Sequence, residues 1–264
     1  MKTSVKHLLG HGLFAVHLDA VLLRNAAVVV AFHRVQKTDP SDTLSVDVDA
    51  FEHHCRFFQR HFRVVPLRDL VYRLEQGRSV DRHLAITFDD GYLDNFENAR
   101  PVLEKLSLPA TFFVVSGWMG SDVVPWWDRQ RGVSYPWMTW DQVRSLHRNG
   151  FEIGAHTHSH VDLGRVSPAV AKAEVAMARM ELERQIGARI ESFAYPYGGR
   201  HHVTDANRQV VRSAGYRCCC SGFGGTNPAG TDPFFLRRVP VSPWFASPYQ
   251  FGFEVALGRS VISA

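Results

Sequence analysis

The chain has 264 residues, 45% hydrophobic and 21% charged, which excludes a disordered, collagen-like or coiled-coil protein and suits one large domain. Its 30 Lys and Arg against 26 Asp and Glu leave a net charge of +4. The basic residues are scattered, so the chain carries no nucleic-acid footprint, and no such partner is expected.

Lys2 and Lys6 give a basic start, but His11, His17, Asp19 and Arg24 interrupt the apolar stretch that follows. Neither a signal-peptide core nor a span of ~20 apolar residues appears. Leu9, Leu13, Val16, Ala20 and Leu23 repeat at helical spacing. They predict a helical segment, residues 1–24, packed on the main domain, residues 25–264. Contact of that stripe with a membrane surface is the alternative. Cys55 stands alone, while Cys218, Cys219 and Cys220 are consecutive and lack metal-binding spacing. Small buried thiols on a strand fit a reducing compartment, and a cytoplasmic location is expected.

Residues 25–33 form a continuous apolar run, a strand covered on both faces. Phe51, Cys55 and Phe58 mark a helix over 49–61, with Asp49 able to cap it. A strand over 62–66, a helix over 67–76 stopped by Gly77, and a strand over 84–88 follow. A helix is expected over 94–106 and a strand over 110–115. Residues 118–140 hold Trp118, Trp126, Trp127, Tyr135, Trp137 and Trp140, and read as a long aromatic loop. A helix over 140–149 and a strand over 151–155 come next. Ser167 and Pro168 then open the longest helix, with Val175, Ala178, Leu182 and Ile186 on one face. Strands over 190–195, 216–220 and 236–241 alternate with helices over 204–214 and 247–258. The rhythm predicts an α/β fold of about seven parallel strands in a single domain.

Polar clusters fall where strands end, the place where parallel α/β folds gather active sites. Asp89 and Asp90 follow the strand 84–88, and a metal bound by one would leave the other free as a base. His156, His158 and His160 follow the strand 151–155, and spacing alone does not say which two would bind a metal. Tyr195, Pro196, Tyr197, Gly198 and Gly199 form a turn, with glycines that let backbone approach a ligand and an N–H able to face an oxyanion. His33 ends the first strand at the same rim.

These residues resemble the polysaccharide deacetylase family, carbohydrate esterase family 4. Thr87-Phe88-Asp89-Asp90-Gly91 resembles its first motif, and His156 to His160 its H-[ST]-x-x-H second motif. Ala194-Tyr195-Pro196-Tyr197 lies where the third is found, and the likeness runs from about residue 28 to 242. The resemblance implies a distorted (β/α) barrel and a divalent metal, most often zinc, on Asp90, His156 and His160. Asp89 would be the general base and the Tyr197 N–H an oxyanion donor. The substrate would be an N-acetylated carbohydrate, with Trp137, Pro196 and Gly198 as its contacts.

Two departures stand out. The third-motif Arg is replaced by Ala194, and no His follows residue 202 to serve as the late acid. Relatives resembling poly-N-acetylglucosamine de-N-acetylases carry the acid His on the first strand, which points to His33. Arg237 or Arg238 would replace the missing Arg, with Arg238 preferred. Asp232 would either orient His33 or cap a turn at Pro233. A relative cutting a formamide or cyclic imide, and an inactive carbohydrate-binding relative, are the competing readings. Oligomeric state is not legible.

Overall fold

A computed structural model describes residues 3–37 and 42–258; Lys2 lies outside them. The N-terminal segment folds as α1 (Thr3–Ala15) and α2 (Asp19–Leu22). There follow β1 (Ala26–Phe32), β2 (Arg34–Val35), β3 (Ser45–Val46), α3 (Val48–His61), β4 (Arg63–Val64), α4 (Leu67–Glu75) and β5 (His83–Phe88). A π-helical turn (Asn95–Ala99) runs into α5 (Arg100–Lys105), then β6 (Thr111–Val114), α6 (Trp126–Gln130), α7 (Trp140–Arg148) and β7 (Glu152–Ala155). The rest is α8 (Pro168–Ile186), β8 (Ser192–Ala194), α9 (Asp205–Ser213), β9 (Cys218–Cys220), β10 (Asn227–Pro228), a 3-10 turn (Pro233–Phe235), β11 (Val239–Pro240) and α10 (Pro248–Ala256).

β1, β5, β6, β7, β8 and β9 pair in parallel in that order. Residues 236–241 close the curl. Leu236 bonds β9 through Cys219 O and the Ser221 N–H, while β11 pairs in parallel with β1 at Val30 and Ala31. This seventh stave makes the sheet the expected distorted barrel. Phe32, Phe88, Phe112 and Phe193 are fully buried on the face of the sheet that packs against the helices, where Phe88 stacks on Phe112 with centroids 4.7 Å apart and meets Phe51 of α3. Thr87 and Asp89 point to the opposite face, toward Arg238. Cys218, Cys219 and Cys220 form β9 and are buried, free thiols.

Three expectations need correction. The cap of α3 is Asp47, whose carboxylate accepts the Asp49 N–H at 2.9 Å; Asp49 is already in the first turn. The aromatic segment 118–140 contains α6. The predicted N-terminal stripe is not the buried face. Gly10, Leu13, Phe14 and Leu23 are buried, whereas Leu9, Val16 and Ala20 are exposed. His17 at φ 56° ends α1 and resets the phase, and a stripe drawn through it mixes two helices. Gly10 lets α1 lie on α10, where any Cβ would run into the Tyr249 carbonyl. None of the described helices is long and apolar enough to cross a membrane.

Candidate active site

Asp89 and Asp90 leave β5 in opposite company. The Asp89 N–H donates to Phe32 O at 2.9 Å, continuing the ladder to β1. The chain then turns tightly: Gly91 N–H donates to Asp89 O at 2.9 Å across Asp90, which sits at φ 72°. That turn lets neighbouring carboxylates serve different partners. Asp89 receives both arms of Arg238, Nη1 to Oδ1 and Nη2 to Oδ2, each at 2.7 Å. Arg238 is 1% exposed and is itself fixed by Ser221 O at 2.6 Å and Thr87 Oγ1 at 3.1 Å. Burial alone would raise the Asp89 pKa; Arg238, helped by His156, outweighs it and holds the carboxyl below its ordinary range.

Asp90 faces the two imidazoles. Its Oδ1 lies 3.3 Å from Nε2 of His156 and 3.3 Å from Nε2 of His160, yet forms no hydrogen bond of proper geometry with any described residue. One ligand atom from each residue falls within 4.8 Å of the others, and all three side chains are buried. Against burial, His156 and His160 keep the Asp90 carboxyl well below its ordinary range. Three convergent donors with an orphaned carboxylate oxygen fit one divalent cation, and the mixed O and N set suits zinc among several ions. His156 is oriented from behind, its Nδ1 2.8 Å from Ala194 O. His158 is turned elsewhere: its Nδ1 is 2.9 Å from Ser116 Oγ. Glu174 holds the loop by accepting the His158 and Ser159 N–H groups at 3.0 and 2.9 Å.

Tyr197 sits at φ 62°, and Gly198 N–H donates to Pro196 O at 2.7 Å across it, a turn of the same kind as at Asp90. Among the described residues nothing accepts from the Tyr197 N–H. Asp90, Thr157, His160 and Tyr197 are all non-glycine residues at positive φ. Such concentrated backbone strain is characteristic of functional sites. His33 continues β1 beside Asp89, is half-buried, and adds favourable charge to both Asp89 and Asp90.

Several candidates are placed differently from expectation. Trp137 offers no face to a sugar: it is 4% exposed, stacked on Tyr92 at 4.4 Å, with its indole N–H on Val123 O at 2.8 Å. Pro196 is buried beneath the turn. Gly198 is small for the chain's own sake, since a Cβ there would collide with the backbone of Gly222. Beside His160 and Trp127, the aromatic faces that reach solvent are those of Trp126 and Tyr197, 54% and 44% exposed and joined by an indole-to-phenol hydrogen bond of 3.2 Å. Asp232 caps the 3-10 turn at the Phe234 N–H (2.9 Å) and pairs with Arg208 and Arg212, so it does not orient His33. His202 is a loop staple, its Nδ1 accepting the Gly199 N–H at 3.0 Å and its Nε2 3.3 Å from Asp162.

Sequence reasoning also missed a buried network behind the site. Arg34 is 0% exposed and donates to Asp128 Oδ1 and Oδ2 (2.8 and 3.0 Å), Asp42 Oδ1 (2.8 Å) and Ser45 Oγ (3.2 Å). The signal was present in the chain: a lone Arg at the end of an apolar strand, and a lone Asp after Trp126 and Trp127.

A parallel barrel presenting an arginine-paired carboxylate beside an Asp-His-His cluster has the furniture of a metal-dependent hydrolase. Residues 76–219 match the Polysaccharide deacetylase family profile, and the chain belongs to that family, hydrolases of carbon–nitrogen bonds other than peptide bonds. It is 23% identical over 244 residues to a poly-beta-1,6-N-acetyl-D-glucosamine N-deacetylase of Staphylococcus aureus, covering 83% of this chain and 79% of that one. Its fold is similar to that of IcaB from Ammonifex degensii (TM-score 0.73, 22% identity, 86% of this chain and 96% of that one). It is also similar to the deacetylase PplD from Streptococcus pyogenes (TM-score 0.72, 21% identity, 86% and 96%).

Proposed function

We propose that the protein removes N-acetyl groups from an amino-sugar polysaccharide, with a β-1,6-linked N-acetylglucosamine polymer as the first substrate to test. The observation that carries the reading is the division of labour at the end of β5: Asp90 faces His156 and His160 while Arg238 claims Asp89. A divalent ion on Asp90, His156 and His160, zinc in this reading, supplies Lewis acidity and makes water nucleophilic at neutral pH.

The chain's own groups complete the chemistry. Asp89, kept ionised and aimed by Arg238, takes a proton from the attacking water. The Tyr197 N–H donates to the acetyl oxygen as negative charge develops on it. His33, as the general acid, delivers a proton to the amine as the C–N bond breaks, leaving acetate and a free amino sugar. Trp126 and Tyr197, rather than Trp137, present the aromatic faces on which a sugar ring would stack. A formamide or cyclic imide would meet the same groups, so acetate release from an acetylated oligosaccharide is the discriminating assay. An inactive relative would have no use for so complete a set. Four free buried thiols favour a reducing, cytoplasmic setting, which fractionation tests; vesicle co-sedimentation tests contact through exposed Leu8, Leu9, Val16 and Val21.

The expected result is that chelation abolishes acetate release and zinc restores it. His160→Ala should lose the metal by elemental analysis and His158→Ala should keep it. The reverse pattern would overturn the assignment.

A further inference from the structure

The two imidazoles facing Asp90 are held in unlike ways. His156 has a backbone acceptor behind it, Ala194 O at 2.8 Å. His160 has none: its Nδ1 is buried and meets no hydrogen-bond partner among the described residues. Metal-bound histidines almost always use their second nitrogen to fix the ring. Here the ring is instead boxed by aromatic faces. Trp118 stacks on it at 5.2 Å and 21°, Trp127 leans on it at 4.9 Å, and Tyr197 meets it edge-on at 4.9 Å.

Of these walls, Trp127 has its own foundation. Its indole N–H donates to Tyr92 Oη at 3.2 Å, and Tyr92 donates in turn to Asp128 Oδ2 at 3.3 Å. Asp128 is 0% exposed and locked to the equally buried Arg34. The Arg34 guanidinium lies over the rings of Tyr135 (4.1 Å) and Tyr92 (5.0 Å). A charged pair buried this deeply has one well-defined geometry. It therefore fixes α6, a helix of only five residues, and with it Trp127.

We infer that Trp127 is the positioning residue for His160, replacing by ring contact the hydrogen bond that histidine lacks, with Arg34, Asp128 and Tyr92 as its anchor. The inference rests on the assignment of His160 to the metal. It gives the aromatic segment a role distinct from sugar stacking.

The test is zinc affinity of the full-length protein, stripped with chelator and titrated against a chromogenic competitor, with cobalt absorption spectra alongside. Trp127→Ala should raise the dissociation constant ~10–100-fold, as loss of an outer-shell partner does, and should alter the visible cobalt bands. Trp127→Phe keeps a ring against His160 and should retain most of the affinity. Wild-type affinity and cobalt bands in a folded Trp127→Ala protein would overturn the inference, as would no rescue by Phe. If His160→Ala itself binds zinc normally, the assignment of His160 fails, and the inference with it. If His160→Ala loses zinc while Trp127→Ala does not, the inference alone fails.

Discussion

At the scale of single residues, the site depends on a contrast between neighbours. Asp89 is bound by a fork of two hydrogen bonds, and Asp90 shares one oxygen between two imidazoles. A reader of the sequence sees two acids in a row and can foresee that they must differ. Which cation takes which acid is not legible from spacing, because Arg238 is 149 positions away from Asp89. The family resemblance alone points to that pairing, and Arg238, preferred over Arg237, is the residue that reaches Asp89. His33 stands out as a candidate for a simpler reason: it ends an apolar strand in a sequence with no His after residue 202. Its proposed role gives a sharp expectation. His33→Ala should keep the metal and lose turnover on an N-acetyl sugar by ~10²–10⁴-fold. The loss should be much smaller on an acetate ester, whose leaving group needs less help from an acid. Parallel assays of acetate release measure the split, and equal losses on both substrates would leave His33 a structural part.

At the scale of elements, periodicity located most strands and helices, and it failed where the backbone changes its own rules. The helix expected over 94–106 starts as a π turn, Asn95–Ala99. Pro101 is the physical reason: it lacks an N–H and crowds the carbonyl four residues back, and a wider turn relieves both problems. The same turn clamps the rim of β1. Asn95 Nδ2 donates to His33 O at 2.8 Å and to Asp94 Oδ1 at 2.8 Å, and Asp94 Oδ1 also accepts the Val35 N–H at 2.8 Å. Burial of Asp94 pushes its carboxyl pKa up to about 6 from an ordinary 3.8. Its folded-state pKa is raised, so the folded state holds a proton that the unfolded chain releases between those values. Stability from this group is therefore greatest below pH 4 and falls as pH rises through 6. Asp94→Asn keeps the acceptor and removes the titration. The mutant should gain on the wild type across that window, by on the order of 3 kcal/mol at pH 8 as an upper bound. Urea unfolding at pH 4, 6 and 8 measures the gap, and a gap that does not change with pH would refute the assignment.

At the scale of the molecule, the barrel is closed by a few residues that also serve the chemistry. Residues 236–241 bond to β9 on one side and β1 on the other, and Arg238 reaches inward from among them to Asp89. The alternation of elements makes a barrel legible, and the strand expected over 236–241 is the stave that closes it. That only Val239–Pro240 of it is regular strand is not legible, because two residues carry no pattern of their own. Removing one member of a buried pair strands the other charge at a cost of ~3–5 kcal/mol. Arg238→Gln should lose about that much in denaturant unfolding. Arg238→Lys should recover only part of it, since an ammonium cannot match the two-armed geometry. A loss below ~1 kcal/mol would show that Asp89 is held by other means.

That placement has a consequence for the order of events in the cell. A chain is made from its N-terminus at ~5–20 residues per second, and folding begins before synthesis ends. The acids on β5 and the imidazoles after β7 emerge early. The arginine that Asp89 requires, and the stave that seals the barrel around it, emerge only after both imidazoles and two further strands, β8 and β9. A nascent chain that stops before residue 236 carries Asp90, His156 and His160 but not the Arg238 that holds Asp89. Competence is withheld until Arg238 has been made and can reach Asp89.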